Sequence, residues 1–149
     1  MDFKVGLNII GGKAASGKTS TMVNLVNLDS ETKNVLFVSL ETGFNMLIER
    51  YNLSGRDSIT LIDQPTSVDD IEKEITNNKY DIVYIDYIML LQTENNTIKE
   101  KITSLIELAN KHNIVIVASD YIGAFESVDK YKGEMFKDVA TIQVLDMIL

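Results

Sequence analysis

The segment Gly12-Lys-Ala-Ala-Ser-Gly-Lys-Thr19 is the most informative part of this 149-residue chain. It fits the phosphate-binding loop pattern G-x-x-x-x-G-K-[ST] at every fixed position. The apolar run at residues 7–10 predicts a buried strand before it, and residues 18–28 carry apolar side chains at helical spacing after it. A strand, this loop and a helix, in that order, form the context in which the pattern binds phosphate. The alternative, a glycine-rich turn with a chance Lys-Thr pair, is disfavoured by both the spacing and the context.

Each residue type in this loop has a physical role in holding the phosphates of a nucleotide such as ATP. Gly12 and Gly17 let the backbone fold closely around an anion with its N–H groups pointing inward. The Lys18 ammonium supplies charge to the β- and γ-phosphates, and the Thr19 hydroxyl is a ligand for Mg²⁺. The start of the following helix adds its partial positive charge. The predicted nucleotide-binding residues are Gly12, Ala14, Ala15, Ser16, Gly17, Lys18, Thr19 and Ser20.

The rest of the chain alternates strand-like and helix-like segments. The predicted strands are residues 7–10, 34–40, 58–62, 81–86 and 113–119, with a sixth within 139–149. The predicted helices are residues 18–28, 44–51, 68–76 and 98–109. Regular alternation predicts an α/β fold, in which a mostly parallel sheet has helices on both faces. We expect residues 1–149 to form a single domain of this kind.

Two carboxylates stand where apolar strands end. Asp86 closes the run at residues 82–85, the form of a Walker B strand, and is predicted to bind the metal together with Thr19. A buried aspartate is costly unless a cation or hydrogen bonds pair it, although an ordinary strand-end cap is the alternative. Glu41 ends its own apolar run in the same way and is predicted to orient the attacking water, with a solvated loop glutamate as the alternative. Many ATPases place this glutamate directly after the Walker B aspartate, where this chain has Tyr87.

Composition excludes several classes of protein. Fourteen basic residues against 22 acidic ones give a formal charge of −8, which argues against a surface built throughout to hold nucleic acid. The sequence has no cysteine, which excludes disulfides and thiolate metal sites and predicts a cytoplasmic location. The single histidine, His112, ends a predicted helix and is interpreted as structural. No leader and no apolar run of about 20 residues is found, so we expect no membrane partner.

These residues together resemble the ATPase domain of DnaB-type replicative helicases, a RecA-like P-loop group. The segments Val35-Leu-Phe-Val-Ser-Leu-Glu41 and Ile85-Asp-Tyr-Ile-Met-Leu-Leu91 carry the resemblance, with the strand that ends at Ser119 in matching order. The resemblance implies the strand order 3-2-4-5-1-6, which makes the Glu41 and Asp86 strands neighbours. It also implies that Glu41 and Lys18 are catalytic, that ATP and Mg²⁺ are bound, and that the setting is DNA replication or recombination. It further implies that oligomers form through the nucleotide-site interface. A stripped-down copy of this kind would suit a phage or a mobile element.

The chain departs from that family at two points. The family carries a glutamine that senses the γ-phosphate where this chain has Asp120, whose carboxylate would repel phosphate unless it turns away or meets a cation. Its only arginines, Arg50 and Arg56, lie in the first half, far from the family's arginine-finger strands. Losing that finger removes a factor of roughly 10³–10⁵ in rate, so we expect slow hydrolysis and no unwinding by the isolated chain. The alternative function is a nucleotide-gated module that binds and modulates a helicase or another replication protein.

Two segments, residues 92–96 and 122–138, lack clear periodicity and follow strand ends, where RecA-like proteins carry DNA-binding loops. The second combines basic with aromatic side chains, a mixture suited to single-stranded DNA. These are Lys130, Lys132 and Lys137 with Tyr131 and Phe136. Four acidic residues cancel that charge, so a solvated loop is the preferred interpretation and DNA binding only a weak expectation. The tyrosines divide between core packing and nucleotide contact in an order that stays open; they are Tyr51, Tyr80, Tyr84, Tyr87 and Tyr121.

Overall fold

Six parallel strands form one sheet in the computed structural model, which describes residues 1–146. The strands are β1 (Gly6–Gly12), β2 (Val35–Ser39), β3 (Ile59–Ile62), β4 (Ile82–Asp86), β5 (Val115–Tyr121) and β6 (Thr141–Leu145). Their order in the sheet is β3-β2-β4-β5-β1-β6, which confirms the order that the resemblance implied. The predicted sixth strand is present, and the part of that prediction at residues 147–149 lies outside the described residues.

In this described part of the chain, four α-helices connect the strands, with three short 3₁₀ helices between them. The α-helices are α1 (Lys18–Asp29), α2 (Phe44–Glu49), α3 (Val68–Asn77) and α4 (Ile98–His112). The 3₁₀ helices are Ile88–Leu90, Val128–Lys132 and Glu134–Phe136. Among residues 1–146, no helix combines the length and the apolar character needed to cross a membrane.

The helices cover both faces of the sheet, as expected for strands with almost no polar alternation. On one face Met22 and Val26 of α1 pack with Leu47 of α2 against the strands. On the other face Ile71 of α3 and Leu105 of α4 pack into the larger cluster. All five side chains are fully buried, and each such burial contributes about 1.5–3 kcal/mol. The two helical layers therefore fix the sheet and leave its carboxyl edge free for function.

The starts of the helices differ in a way that positions the site. Ser67 and Asp70 form a reciprocal capping box at α3, with both bonds 3.1 Å long. At α4 the Thr97 hydroxyl accepts a hydrogen bond from a first-turn N–H. Helices α1 and α2 both begin after a glycine, with no side-chain cap among the described residues and no acidic residue in the first turn, but the first N–H of α2 is bonded by Asp63. The N–H groups at the start of α1 are left available for a ligand.

Candidate functional site

The carboxyl edge of the sheet brings the predicted residues together. Strand β2 pairs with β4 so that Ser39 lies opposite Asp86, and the N–H of Leu40 donates to the Asp86 carbonyl at 2.8 Å. Glu41 follows Leu40 directly in sequence and lines the same cleft as the phosphate loop. This cleft has a volume of about 860 Å³, and Ala14 to Ser20, Glu41 and Asp86 all line it. The predicted neighbourhood of Glu41 and Asp86 is therefore what the fold produces.

The phosphate loop curls tightly around its own centre. Gly17 has a φ of 85° and Ala15 a φ of 60°, both in the left-handed region. Glycine adopts that region at little cost, which explains Gly17, whereas an alanine there costs about 1–2 kcal/mol. A methyl group at Gly12 would overlap the Ser16 hydroxyl, so any larger residue there would force the Ser16 side chain to move. The loop thus has the close backbone curvature that the sequence pattern predicts.

Unsatisfied polar groups at the centre of the loop point to a missing partner. Ser16 is 3% exposed, and within residues 1–146 its hydroxyl oxygen finds no hydrogen-bond partner. A buried polar group left in this state costs about 1–3 kcal/mol, which a bound ligand relieves. Together with the free N–H groups at the start of α1, the hydroxyl fits the oxygens of a phosphate.

Lys18 is folded back onto the loop. Its Nζ donates to the carbonyl of Gly12 at 2.8 Å and to that of Lys13 at 2.9 Å, and lies 5.1 Å from the centre of the Tyr121 ring. Burial lowers the pKa of the Lys18 ammonium, while the neighbouring carboxylates, Asp86 first, oppose that shift. The Lys18 ammonium therefore lies at the phosphate loop, where two backbone carbonyls occupy the hydrogen-bonding positions that a bound anion would take.

Asp86 and Thr19 form the centre of a candidate metal site. The Thr19 hydroxyl donates to Asp86 Oδ2 at 2.9 Å and the Ser119 hydroxyl donates to Oδ1 at 2.7 Å, with Asp86 only 2% exposed. A hydroxyl and a carboxylate are the oxygen ligands that Mg²⁺ uses beside waters and substrate phosphates. Residues 1–146 contain no group of three or more His, Cys, Asp or Glu suited to a metal. The residues present thus fit a cation that takes its remaining ligands from a bound phosphate.

The turn that carries Glu41 is fixed by two side chains at neighbouring strand ends. The Ser39 hydroxyl donates to the Thr42 carbonyl at 2.6 Å, and Asp63 accepts from the N–H of Phe44 at 3.0 Å. Glu41 itself is exposed to the cleft. A carboxylate held on such a turn beside the candidate metal site can accept a proton from water, which is the chemistry that its predicted role requires.

Asp120 does not line the cleft, because its own chain supplies a cation. It is 2% exposed, lies 3.1 Å from Lys130 Nζ and accepts from the Tyr131 hydroxyl at 2.7 Å. Burial raises the pKa of the Tyr131 phenol, and the Asp120 carboxylate adds to that shift. Both expected outcomes for this carboxylate are therefore observed, since it lies outside the cleft lining and also meets a cation.

The solvated-loop interpretation of residues 122–138 is wrong for the residues that anchor this segment. Phe136 is buried in the core, and the Tyr131 ring meets it edge-on with the ring centres 5.0 Å apart. The interpretation is right for Lys132 and Lys137, whose side chains are 82% and 60% exposed and pair with local carboxylates. Periodicity missed the anchors because short 3₁₀ helices have no amphipathic repeat.

The structure also shows which tyrosines line the cleft and which do not. Tyr84 is fully buried in the core, and the Tyr80 hydroxyl bonds to Glu74 of α3, so neither lines the cleft. Tyr51, Tyr87 and Tyr121 do line it, as do Thr42 and Met46. Sequence reasoning gave no role to Ser119, Thr42 or Met46. For Tyr87 and Tyr121 a signal existed, since each stands at the carboxyl end of a strand.

A second groove, of about 690 Å³, lies between α3 and α4 and contains none of the predicted residues. Its charged lining is mostly acidic: Asp69, Glu72, Glu94, Glu100 and Glu107, with Lys111 the one basic residue among them. Such a lining repels phosphate, so the cleft at the carboxyl edge is the candidate site.

Comparison with known proteins agrees with this geometry. A family model described as the DnaB-like helicase C terminal domain matches residues 3–142. One solved ATPase domain is similar over 93% of this chain and 66% of its own, with 15% identity and a TM-score of 0.64. A DnaB-like replicative helicase solved for its interactions with primase is similar over 92% of this chain and 44% of its own, with 15% identity and a TM-score of 0.60. The chain spans less than two thirds of either, and no curated protein matches it.

Proposed function

The chain belongs to the family of DnaB-like helicase C-terminal domains, and we propose that it binds Mg·ATP and hydrolyses it slowly. The observation that carries the proposal is the buried Ser16 hydroxyl of the phosphate loop, which has no hydrogen-bond partner within residues 1–146, in the cleft that the Thr19–Asp86 pair also lines. A phosphate supplies the acceptor that this hydroxyl lacks. We further propose that residues 1–149 form one domain.

The roles that we propose follow from the positions of the side chains. Lys18 exchanges its two backbone acceptors for the β- and γ-phosphate oxygens, while the loop backbone from Ala14 to Thr19, with Ser20 next to it, surrounds the phosphates. Thr19 and Asp86 hold Mg²⁺, which when bound neutralises charge on those oxygens. Glu41 orients the attacking water and accepts its proton.

Slow turnover is supported by the state of the two arginines. The Arg56 guanidinium donates to the Asn27 carbonyl at 3.0 Å and to the Ser30 hydroxyl at 3.1 Å, so it is engaged at the C-terminal end of α1. Arg50 is exposed at the end of α2. Neither occupies the cleft, and without an arginine on the γ-phosphate a rate factor of roughly 10³–10⁵ is forgone.

We propose a setting in cytoplasmic DNA replication or recombination, as the family suggests. A second copy at the nucleotide-site interface, single-stranded DNA and another replication protein are the proposed partners. The alternative function, a nucleotide-gated module that modulates a helicase, is favoured by one observation. The Asp120 carboxylate is already paired with Lys130, so this position is not free to report a γ-phosphate to a DNA-binding loop.

Calorimetry with Mg·ATP tests the binding proposal. The wild-type chain is expected to bind, and Lys18→Ala is expected to lose about tenfold or more in affinity, since a charged hydrogen bond contributes about 1.5–3 kcal/mol. Lys79→Ala, which removes an exposed lysine outside the cleft, is the control and should bind as wild type. Unchanged affinity in Lys18→Ala would contradict the assignment of the loop.

Turnover with and without single-stranded DNA separates the two functions. A DNA-acting ATPase is stimulated by DNA, and its DNA binding weakens as salt rises. We expect at most weak stimulation and no unwinding of a forked duplex by the 149-residue chain. Unwinding, or a stimulated rate in the range of about 1–100 s⁻¹, would refute slow turnover. The mass in solution, measured with and without nucleotide, tests the second copy.

A further inference from the structure

The candidate cleft has one charged end, formed by Lys18, Asp86 and Glu41. Two of its three tyrosines belong to that end. The Tyr121 ring centre lies 5.1 Å from Lys18 Nζ. Tyr87 follows Asp86 directly in sequence and lines the same cleft. Both rings therefore lie where phosphates and metal would be held, which leaves the third tyrosine for another part of the ligand.

That third tyrosine, Tyr51, belongs to an uncharged part of the wall. It follows α2, and Met46 of the same helix lines the cleft with it. Met46 is 48% exposed, whereas Tyr51 is half-buried and packs against the core cluster that contains Met22 and Val23 of α1. A partly exposed thioether and an aromatic ring facing one cleft make an apolar surface suited to a flat ring system.

The position of Tyr51 is fixed relative to the phosphate loop. The Asn27 side chain of α1 donates to the Asn52 carbonyl at 3.0 Å and accepts from the N–H of Ser54 at 2.8 Å. Between these two, Leu53 is buried and its N–H donates to a carbonyl of α2 at 2.9 Å. Because α1 starts at the phosphate loop, the turn beside Tyr51 and the loop are tied to one helix. A surface ordered in advance in this way loses little entropy when a ligand binds.

We propose that Tyr51, supported by Met46, is the surface on which the base of a bound nucleotide stacks. The inference rests on the proposed binding of Mg·ATP and assigns the part of the cleft that the phosphates do not use. A nucleotide with its phosphates at the charged end must place its base along the uncharged wall. Stacking on Tyr51 then adds affinity that a ligand without a base cannot gain.

Calorimetry with two probes, Mg·ATP and Mg·tripolyphosphate, tests the assignment. Tyr51→Leu keeps apolar bulk against α1 but removes the ring, so Mg·ATP affinity is expected to fall roughly 5- to 100-fold. Tripolyphosphate affinity should stay unchanged in the same variant. Tyr51→Phe retains the ring and should bind both probes as wild type. Tyr80→Leu removes a half-buried tyrosine outside the cleft and is the matched control.

The possible failures are distinguishable. An unchanged Mg·ATP affinity in Tyr51→Leu, or an equal loss for both probes, overturns the stacking role. Met46→Ala changes an exposed side chain that the fold does not need, and it should weaken Mg·ATP alone; an equal effect on both probes would count against the proposal as well. A wild-type chain that binds neither probe refutes the proposed function itself.

Discussion

The phosphate loop, residues 12–19, and the segment at residues 122–138 both begin where a parallel strand ends, and they touch: the N–H of Ile122 donates to the Gly12 carbonyl at 2.9 Å. They differ in what they leave unsatisfied. Among the residues that the structure describes, the loop holds a buried hydroxyl without a hydrogen-bond partner and leads into a helix without a side-chain cap. The segment satisfies its own groups, since Lys130 pairs with Asp120 and the Gly123 N–H donates to Glu126 at 2.7 Å. The candidate site is thus the region whose hydrogen-bond donors are free to bind a ligand. The segment at residues 122–138, whose polar groups bond to one another, supports that region.

The charges of the second segment show the same principle. Lys132 pairs with Asp129 at 3.0 Å and Lys137 with Glu134 at 2.6 Å, both on the surface. Exposed pairs of this kind contribute about 0–1 kcal/mol to stability. They nevertheless keep a carboxylate beside each lysine, so a polyanion gains little from approaching them.

Glu41→Gln tests the region of the phosphate loop, whose cleft Glu41 lines, and should have the largest effect of the changes considered, on ATP turnover. Glutamine keeps the size and the hydrogen-bonding capacity but cannot accept the proton of water, so ATP turnover should fall by roughly 10²–10⁴ while Mg·ATP still binds. Steady-state turnover and calorimetry on the same preparation measure the two effects. Glu49→Gln, an exposed glutamate at the end of α2, is the control. Equal turnover in Glu41→Gln and wild type would move the base elsewhere.

Lys130→Met tests whether the second segment is held by its buried pair. Asp120 is then left without its cation, and the free energy of unfolding should drop by about 2–3 kcal/mol. This is less than the roughly 3–5 kcal/mol typical of a fully buried pair, because the Lys130 side chain is 20% exposed. Adding Asp120→Asn should restore part of the loss. Urea unfolding of the two single variants and the double variant gives the coupling energy between the residues. A coupling near zero would show that the segment is anchored by other contacts.

Gly11→Ala probes the point where the two regions meet. A methyl group there would overlap the Tyr131 hydroxyl, so the ring must move away from β1. We expect a loss of about 1–2 kcal/mol in stability, with faster amide exchange at residues 128–136. Gly55→Ala is the control, since nothing lies within 4 Å of its added methyl group. If amide exchange at residues 128–136 does not change, Tyr131 is not the anchor.

The smallest effect is expected away from both regions, where the end of α4 meets α3. His112, predicted to be structural, lies with its Nε2 2.9 Å from Glu72, and Lys111 lies 3.1 Å from the same carboxylate. These contacts, that of His112 first, lower the pKa of Glu72. A carboxyl whose pKa is lowered in the folded state stabilises the protein above about pH 5, and this stabilisation is lost as the pH falls through the lowered pKa.

Glu72→Gln should therefore reduce stability by less than about 1 kcal/mol at neutral pH, and the difference from wild type should shrink as the pH falls below about 5. Thermal unfolding at several pH values measures it, with Glu94→Gln as an exposed control from the same groove. A difference that grows as the pH falls below about 5 would reverse the sign and contradict the account.

Much of the fold was predictable because its signals are local. The strand before Gly12, the apolar run that ends at Asp86 and the helical spacing behind Thr97 each depend on adjacent residues and match β1, β4 and α4. The strand order was not readable from periodicity; it came with the resemblance, and the structure confirms it. At the candidate site, the placement of Lys18, Thr19, Glu41 and Asp86 at one edge of the sheet was predictable because each stands at a motif position or a strand end, and their roles stay predictions.

The sequence by itself determined the phosphate loop and the carboxylates at the strand ends, because these depend on residue type and on short spacing along the chain. Only the tertiary structure decided which groups meet across long separations. Ser119 reaches Asp86, 33 residues away, and Tyr131 reaches Asp120 through a turn of 3₁₀ helix that has no repeat to read. Tyr51 looked like any other tyrosine until the packing of α2 against α1 placed it on the wall of the cleft. The lysines of residues 122–138 pair with carboxylates of their own chain. Such pairing depends on distances in space, which the linear sequence does not give.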